Sequence, residues 1–157
     1  MKDIAIIPYQ PQYQPWFKKL NKAWIEEYFT LEPVDEWVMD NPEAAILRKG
    51  GQIFFATLDK QIIGVAALKW IEGEPGILEL TKMAVDKAAQ GLGAGKLLCQ
   101  TAIDLARSMH AKKLVLYSNT SLGPAIGIYR KLGFREVPVE PGRYARADIK
   151  MEIRFID

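Results

Sequence analysis

Gln90-Gly91-Leu92-Gly93-Ala94-Gly95-Lys96 is the stretch on which the reading of this chain turns. It follows a strand-like run, Ile77 to Val85, and precedes a segment in which Leu98, Ala102, Leu105, Ala106 and Met109 recur at helical spacing. Glycines at a strand-to-helix junction let the backbone approach a ligand closely, and the first N–H groups of the helix have no partner inside it. A phosphate set there accepts several backbone hydrogen bonds and meets the positive end of the helix dipole. The stretch therefore predicts a phosphate-bearing ligand. The plainer alternative is a structural helix start that happens to hold Gly91, Gly93 and Gly95.

Two common phosphate loops do not fit. A Walker A loop needs glycine where Gln90 stands and Ser or Thr where Leu97 stands. A dinucleotide fingerprint needs a further glycine at Lys96 or at Leu98. An ATP- or NAD-binding domain is thereby disfavoured, and competition by nucleotide is what would revive it.

Working outward, Ile4 to Ile7 reads as a first strand stopped by Pro8, and the Pro/Gln/Tyr-rich residues after it read as a turn into a helix. Phe17, Leu20, Trp24 and Tyr28 predict an amphipathic helix over Pro15 to Phe29. A shorter helical stretch is expected over Asp35 to Leu47, broken near Pro42. Gln52 to Leu58 and Gln61 to Trp70 are strand-like runs joined by Asp59-Lys60, a hairpin signature. Glu72 to Gly76 is a turn before the Ile77 strand. After the long helix come a strand over Lys113 to Ser118 and a helix through Leu122, Ala125, Ile126, Tyr129 and Leu132, closed by Gly133. Two last strands, Phe134 to Val137 and Ala147 to Phe155, flank a Pro141-Gly142 turn. The order predicts an α/β domain: a mixed, mostly antiparallel central sheet of about six to seven strands flanked by helices, with residues 1–157 forming one domain.

Composition narrows the function classes. The 157 residues are 49% hydrophobic and 25% charged, as in ordinary globular proteins. A net charge of +2 gives no field suited to nucleic acid or an anionic membrane. The apolar run Ile62 to Leu68 is far short of the roughly 20 residues of a membrane span, and no signal-peptide core follows Met1. Cys99 has no partner for a disulfide and no metal-ligand spacing around it, so no metal is expected. A cytoplasmic location is the expectation.

A third glycine-loop pattern does fit. Gln90, Gly93 and Gly95 fill Gln/Arg-x-x-Gly-x-Gly/Ala, the pyrophosphate loop of the GNAT superfamily of CoA-dependent N-acetyltransferases. Leu78-Glu79-Leu80-Thr81-Lys82-Met83-Ala84-Val85-Asp86 resembles that family's central strand, at the right distance upstream. Ser118-Asn119 through Tyr129 to Gly133-Phe134 resembles its second cofactor-binding segment. The ending Tyr144 to Met151 is similar to that of a bacterial subgroup. The resemblance covers Gln52 to Met151 well and the first fifty residues loosely. It implies acetyl-CoA as co-substrate and transfer of an acetyl group to a primary amine by direct attack in a ternary complex. A CoA-binding sensor or assembly module of the same fold is the alternative, which binding without transfer across an amine panel would favour. A homodimer is compatible with the resemblance.

The resemblance also assigns roles. Gln90, Gly91, Leu92, Gly93, Ala94, Gly95 and Lys96 would hold the pyrophosphate, and backbone N–H groups of Met83, Ala84 and Val85 the acetyl carbonyl, like an oxyanion hole. Asn119 would bond the pantetheine arm, or else cap the helix that follows it. Tyr129 would be the general acid for the departing thiolate; by periodicity alone it is a core tyrosine. Glu79 is the candidate general base, perched in an otherwise apolar strand where an unpaired carboxylate is costly. Glu79, Thr81, Met83 and Val85 are expected to share one strand face, which could instead be a solvated one. His110 reads as a surface residue and Cys99 as a packing residue.

On the acceptor side, Ala23 to Leu47 contains no Lys or Arg but holds Glu26, Glu27, Glu32, Asp35, Glu36, Asp40 and Glu43. In the superfamily the first two helices wall the acceptor site. An acidic wall would favour a small cationic amine such as a polyamine, an aminoglycoside-like sugar or a lysine side chain; solvated helix faces would show the same pattern. Trp16, Trp24, Tyr28, Phe29 and Trp37 could add apolar or cation–π contacts.

Overall fold

The computed structural model describes residues 3–141 and 146–155. Gly142 of the expected Pro141-Gly142 turn, and Tyr144-Ala145 of the C-terminal motif, lie outside them. Seven strands form one open sheet in the order β1-β2-β3-β4-β5-β7-β6. They are β1 (Ile4–Pro8), β2 (Gln52–Leu58), β3 (Gln61–Trp70), β4 (Ile77–Val85), β5 (Lys113–Ser118), β6 (Arg135–Val137) and β7 (Ile149–Arg154). All neighbours pair antiparallel except β4 and β5. The expected mixed, mostly antiparallel sheet is therefore what forms.

Helices cover both faces. Helices α4 (Ala94–Ser108) and α5 (Gly123–Lys131) lie on one, where Leu98, Ala102, Ala106 and Ile126 pack against Leu78, Leu80 and Leu114. On the other lie α1 (Gln14–Tyr28), α2 (Pro33–Asp40) and the single turn α3 (Pro42–Ala45), where Phe17, Leu20, Met39 and Ile46 meet Phe55, Val65 and Ala67. Strands β2 and β3, covered on both sides, are correspondingly apolar on both sides. No helix of the described residues is long and apolar enough to cross a membrane.

Local chemistry sets the element ends. Asp59 and Lys60 both take positive φ (50° and 66°), the two-residue turn whose twist suits a hairpin. Helix α2 starts two residues before the expected Asp35: Pro33 sits in its first turn, and Glu32 and Asp35 form a reciprocal capping box. It breaks at Asn41-Pro42, as the proline predicts. In α1 the buried stripe is Phe17, Leu20, Asn21 and Ile25, while Trp24 is half-buried and Tyr28 is 44% exposed. Trp24 thus packs on the edge of the core, while Tyr28 faces away from it.

Two irregularities in β4 build the site. The parallel ladder with β5 runs only from Ile77↔Lys113 to Leu80↔Leu116, yet β4 continues to Val85 and β5 to Ser118. The two strands part beyond Leu80. On its other edge β4 pairs Thr81 with Ala67 and Ala84 with Val65, so Lys82 and Met83 together oppose Ala66 in a β-bulge. Lys82 takes φ 51° there, a left-handed position where glycine is the default.

The bulge corrects the expectation of one continuous face. Glu79 alternates with Leu78 and Leu80, which join the α4/α5 core, so it faces α1 and α2. After the bulge the alternation is reset: Met83 and Val85 pack with the α4/α5 core, and Ala84 with the α1/α2 core.

Candidate active site

The parting of β4 and β5 opens a cavity of about 920 Å³ that runs through the sheet from one helical layer to the other. Its first arm lies between the glycine loop, the start of α4, and Ala125, Ile128 and Tyr129 of α5. Gly91 and Gly93 have φ of 86° and 92°, conformations that favour glycine. Gly93 is the N-cap of α4 and makes no side-chain cap, and its carbonyl accepts the first helical bond from the Leu97 N–H at 3.1 Å. The N–H groups of Ala94, Gly95 and Lys96 therefore precede the helical ladder and stand at the cavity wall. A Cβ added at Gly91 or Gly93 would meet nothing within 4 Å, so there is open room beside the loop. Loop, helix end and open room fit a pyrophosphate group.

The candidate catalytic and cofactor-binding residues all line this cavity except Leu92, which is 54% exposed and lies outside the lining. Tyr129 is 9% exposed, its ring 5.9 Å from that of Phe134 in a T-shaped contact. Burial raises its hydroxyl well above the ordinary phenol value, so it remains protonated at any working pH. Glu79 is 2% exposed at the bottom of the second arm, opposite Lys69 on β3. Asn119 lines the seam, where its amide donates to the Arg146 carbonyl at 2.8 Å and its carbonyl accepts from the Ser121 N–H at 2.9 Å. The second bond closes a turn ahead of α5, whose own N-cap, Leu122, is without a side-chain cap, so Asn119 does not cap the helix. Asp148 adds to this by accepting from both the N–H and the hydroxyl of Thr120.

The second arm lies under α1 and α2. Trp24, Tyr28, Phe29, Val34 and Val38 form its apolar wall, with the Trp24 ring 5.5 Å from Tyr28 and 5.7 Å from Phe29. Trp16 and Trp37 are exposed and outside it.

Of the acids between Ala23 and Leu47, only Glu32 and Asp35 line the cavity. Glu27 pairs with Lys87 and Asp40 with Lys18 at the surface. Asp35, 2% exposed, is a hub. Its Oδ1 accepts from Lys82 Nζ at 3.0 Å and Arg146 Nη2 at 2.8 Å, and its Oδ2 from Arg146 Nη1 at 3.0 Å and the Glu32 N–H at 3.0 Å. Burial pushes this carboxyl up, but the Arg146 hydrogen bonds, the Glu32 N–H and Lys82 outweigh it and hold it far below the usual range. Burial pulls the Lys82 ammonium below its ordinary value, against the pull of Asp35. The sequence carries no signal of this cluster, because Lys82 and Arg146 reach Asp35 from 47 and 111 positions away.

Comparison with known proteins agrees with this architecture. The model of the acetyltransferase (GNAT) family matches residues 12–134. The chain belongs to the GNAT family. A GNAT-family acetyltransferase of Staphylococcus aureus Mu50 shares the fold with a TM-score of 0.83, 22% identity, and coverage of 97% of this chain and 99% of that one. The yncA protein of Salmonella typhimurium, whose structure holds its cofactor acetyl-CoA, superposes with a TM-score of 0.76 at 17% identity over 96% of this chain and 93% of that one. Mycothiol acetyltransferase of Clavibacter michiganensis is 27% identical over 139 residues, 76% of this GNAT chain but 44% of that relative, so this chain spans less than half its length.

Proposed function

We propose that this protein transfers the acetyl group of acetyl-CoA to the primary amine of a small acceptor, by direct attack with both molecules bound at once. The observation that carries the reading is the one cavity that joins the glycine loop, the open β4–β5 seam and a separate arm ending at Glu79. Acetyl-CoA, when bound, supplies the activated thioester. The first N–H groups of α4 and the loop would hold its pyrophosphate, and the seam beside Met83 to Val85 and Asn119 its pantetheine arm and carbonyl.

The chain's own residues handle protons. An alkylamine has a pKa near ~10.4 and arrives as an ammonium ion, so a proton must leave before it can attack. Glu79 takes that proton, directly or through a water, and the Glu79 and Glu32 carboxylates favour the cationic form on arrival. Tyr129, which belongs to the α4/α5 layer rather than the α1/α2 layer that Glu79 faces, gives a proton to the departing sulfur. Burial of both groups keeps bulk water from short-circuiting the transfer.

Thermal unfolding with acetyl-CoA, NAD and ATP tests the first half, since a ligand of the folded state alone must raise the midpoint. A rise specific to acetyl-CoA, followed by amine-dependent release of CoA thiol, is the expected pair of results. No rise at saturating acetyl-CoA would reduce the glycine loop to a helix start.

A further inference from the structure

Lys82 occupies an unusual place. It sits at the first position of a bulge in a left-handed conformation (φ 51°), where glycine costs least, yet a long cationic side chain is kept there. That side chain is 13% exposed and lines the acceptor arm. Non-glycine residues held in strained backbone cluster where the side chain has a task.

Hydrogen-bond capacity shows what the task is. A carboxylate offers about four lone-pair sites. Those of Asp35 are taken by Lys82, twice by Arg146, and by the Glu32 N–H. An incoming ammonium finds no acceptor left on it. Lys82 carries three protons, and among the described residues Asp35 is its one hydrogen-bond partner. What this corner of the arm has to offer is donors, on a cation, beside the Arg146 guanidinium and across from Lys69.

We propose that the acceptor is an amino-acid-like amine, with a carboxylate close to its reacting nitrogen, and that Lys82, with Arg146 beside it, is the seat of that carboxylate. This rests on the acetyl-transfer reading above. Lys82 adjoins Met83 in the strand, about 3.8 Å between Cα atoms. Its ammonium therefore stands within one lysine side chain of the seam, a span that a single small molecule carrying both an amine and a carboxylate bridges. Trp24, Tyr28 and Phe29 line the rest of the arm, so its side chain is apolar. A charge-assisted bond to Lys82 selects the acid over a neutral analogue.

The test is acetyl transfer to the twenty amino acids, to their amides, and to the decarboxylated amines of leucine and phenylalanine. Leucine and phenylalanine are expected to exceed their amides by about tenfold to a hundredfold in kcat/KM. Lys82→Met should bring the acid-to-amide ratio of kcat/KM close to unity, whatever it does to the overall rate, and Lys82→Arg should restore part of the preference. Amides or simple amines used as well as the acids, or a preference that survives Lys82→Met, would overturn the proposal. Should no amine be acetylated, the transfer reading fails by itself. The carboxylate seat is then decided by thermal protection of the CoA-loaded protein: N-acetylphenylalanine protecting better than its amide supports it, and equal protection overturns it.

Discussion

The Arg146 guanidinium holds both carboxylate oxygens of Asp35, at 2.8 and 3.0 Å, and so ties the residues just before β7 to the first turn of α2 at the wall of the acceptor arm. A two-pronged arginine–carboxylate pair fixes orientation as well as distance. Removing one member leaves a buried charge without its counterpart. Asp35→Asn is therefore expected to lower unfolding free energy by about 3–5 kcal/mol, as breaking a buried pair does, read from urea unfolding at neutral pH. A loss under about 1 kcal/mol would mean that solvent reaches the pair.

The same carboxyl makes stability depend on acid. Its folded pKa lies below the unfolded value of about 3.9. The contribution is thus complete above the unfolded value and is lost as pH falls toward the folded one. The gap between the native protein and Asp35→Asn should be constant from pH 7 to 5 and shrink as pH drops below about 4. A gap that widens in acid would contradict the assigned direction.

Gly93→Ala separates backbone cost from ligand room. Its φ of 92° makes a side chain there strained, by about 1–2 kcal/mol. The new Cβ touches no protein atom within 4 Å, so that strain is the only stability cost. The methyl projects into the space beside the loop. Acetyl-CoA affinity, measured by calorimetry, is expected to fall by more than stability does; an unchanged affinity would remove the loop from cofactor binding.

Proton transfer can be dissected with two conservative changes. Tyr129→Phe keeps the ring against Phe134 and should retain the thermal shift with acetyl-CoA, while CoA release slows about a hundredfold or more. Glu79→Gln should make the rate climb with pH toward the acceptor amine's own pKa, because only acceptor already deprotonated can react. A Glu79→Gln profile parallel to the native one would take the base role from this residue.

Much of the fold was legible because its signals are local. Proline stops, the Asp59-Lys60 turn and alternation in β2 and β3 placed the strands to within a residue or two. The glycine loop was equally plain, since its residue types are demanded by backbone geometry. The bulge at Lys82 was not, because a lysine with positive φ has no sequence mark, and one extra residue reassigned every later side chain of β4. The charge of α2 misled for a related reason: Asp35 looks like part of an acidic wall until Lys82 and Arg146 arrive from elsewhere in the chain.

The seam between β4 and β5 has a consequence for how this site tolerates change. The groups it offers a ligand are main-chain amides and carbonyls left over when a sheet stops zipping, and every amino acid except proline brings the same pair. Most replacements at Tyr117 would repaint the walls and leave the slot. Proline would erase it. A lineage could therefore rewrite the acceptor arm, side chain by side chain, without renegotiating its grip on the donor.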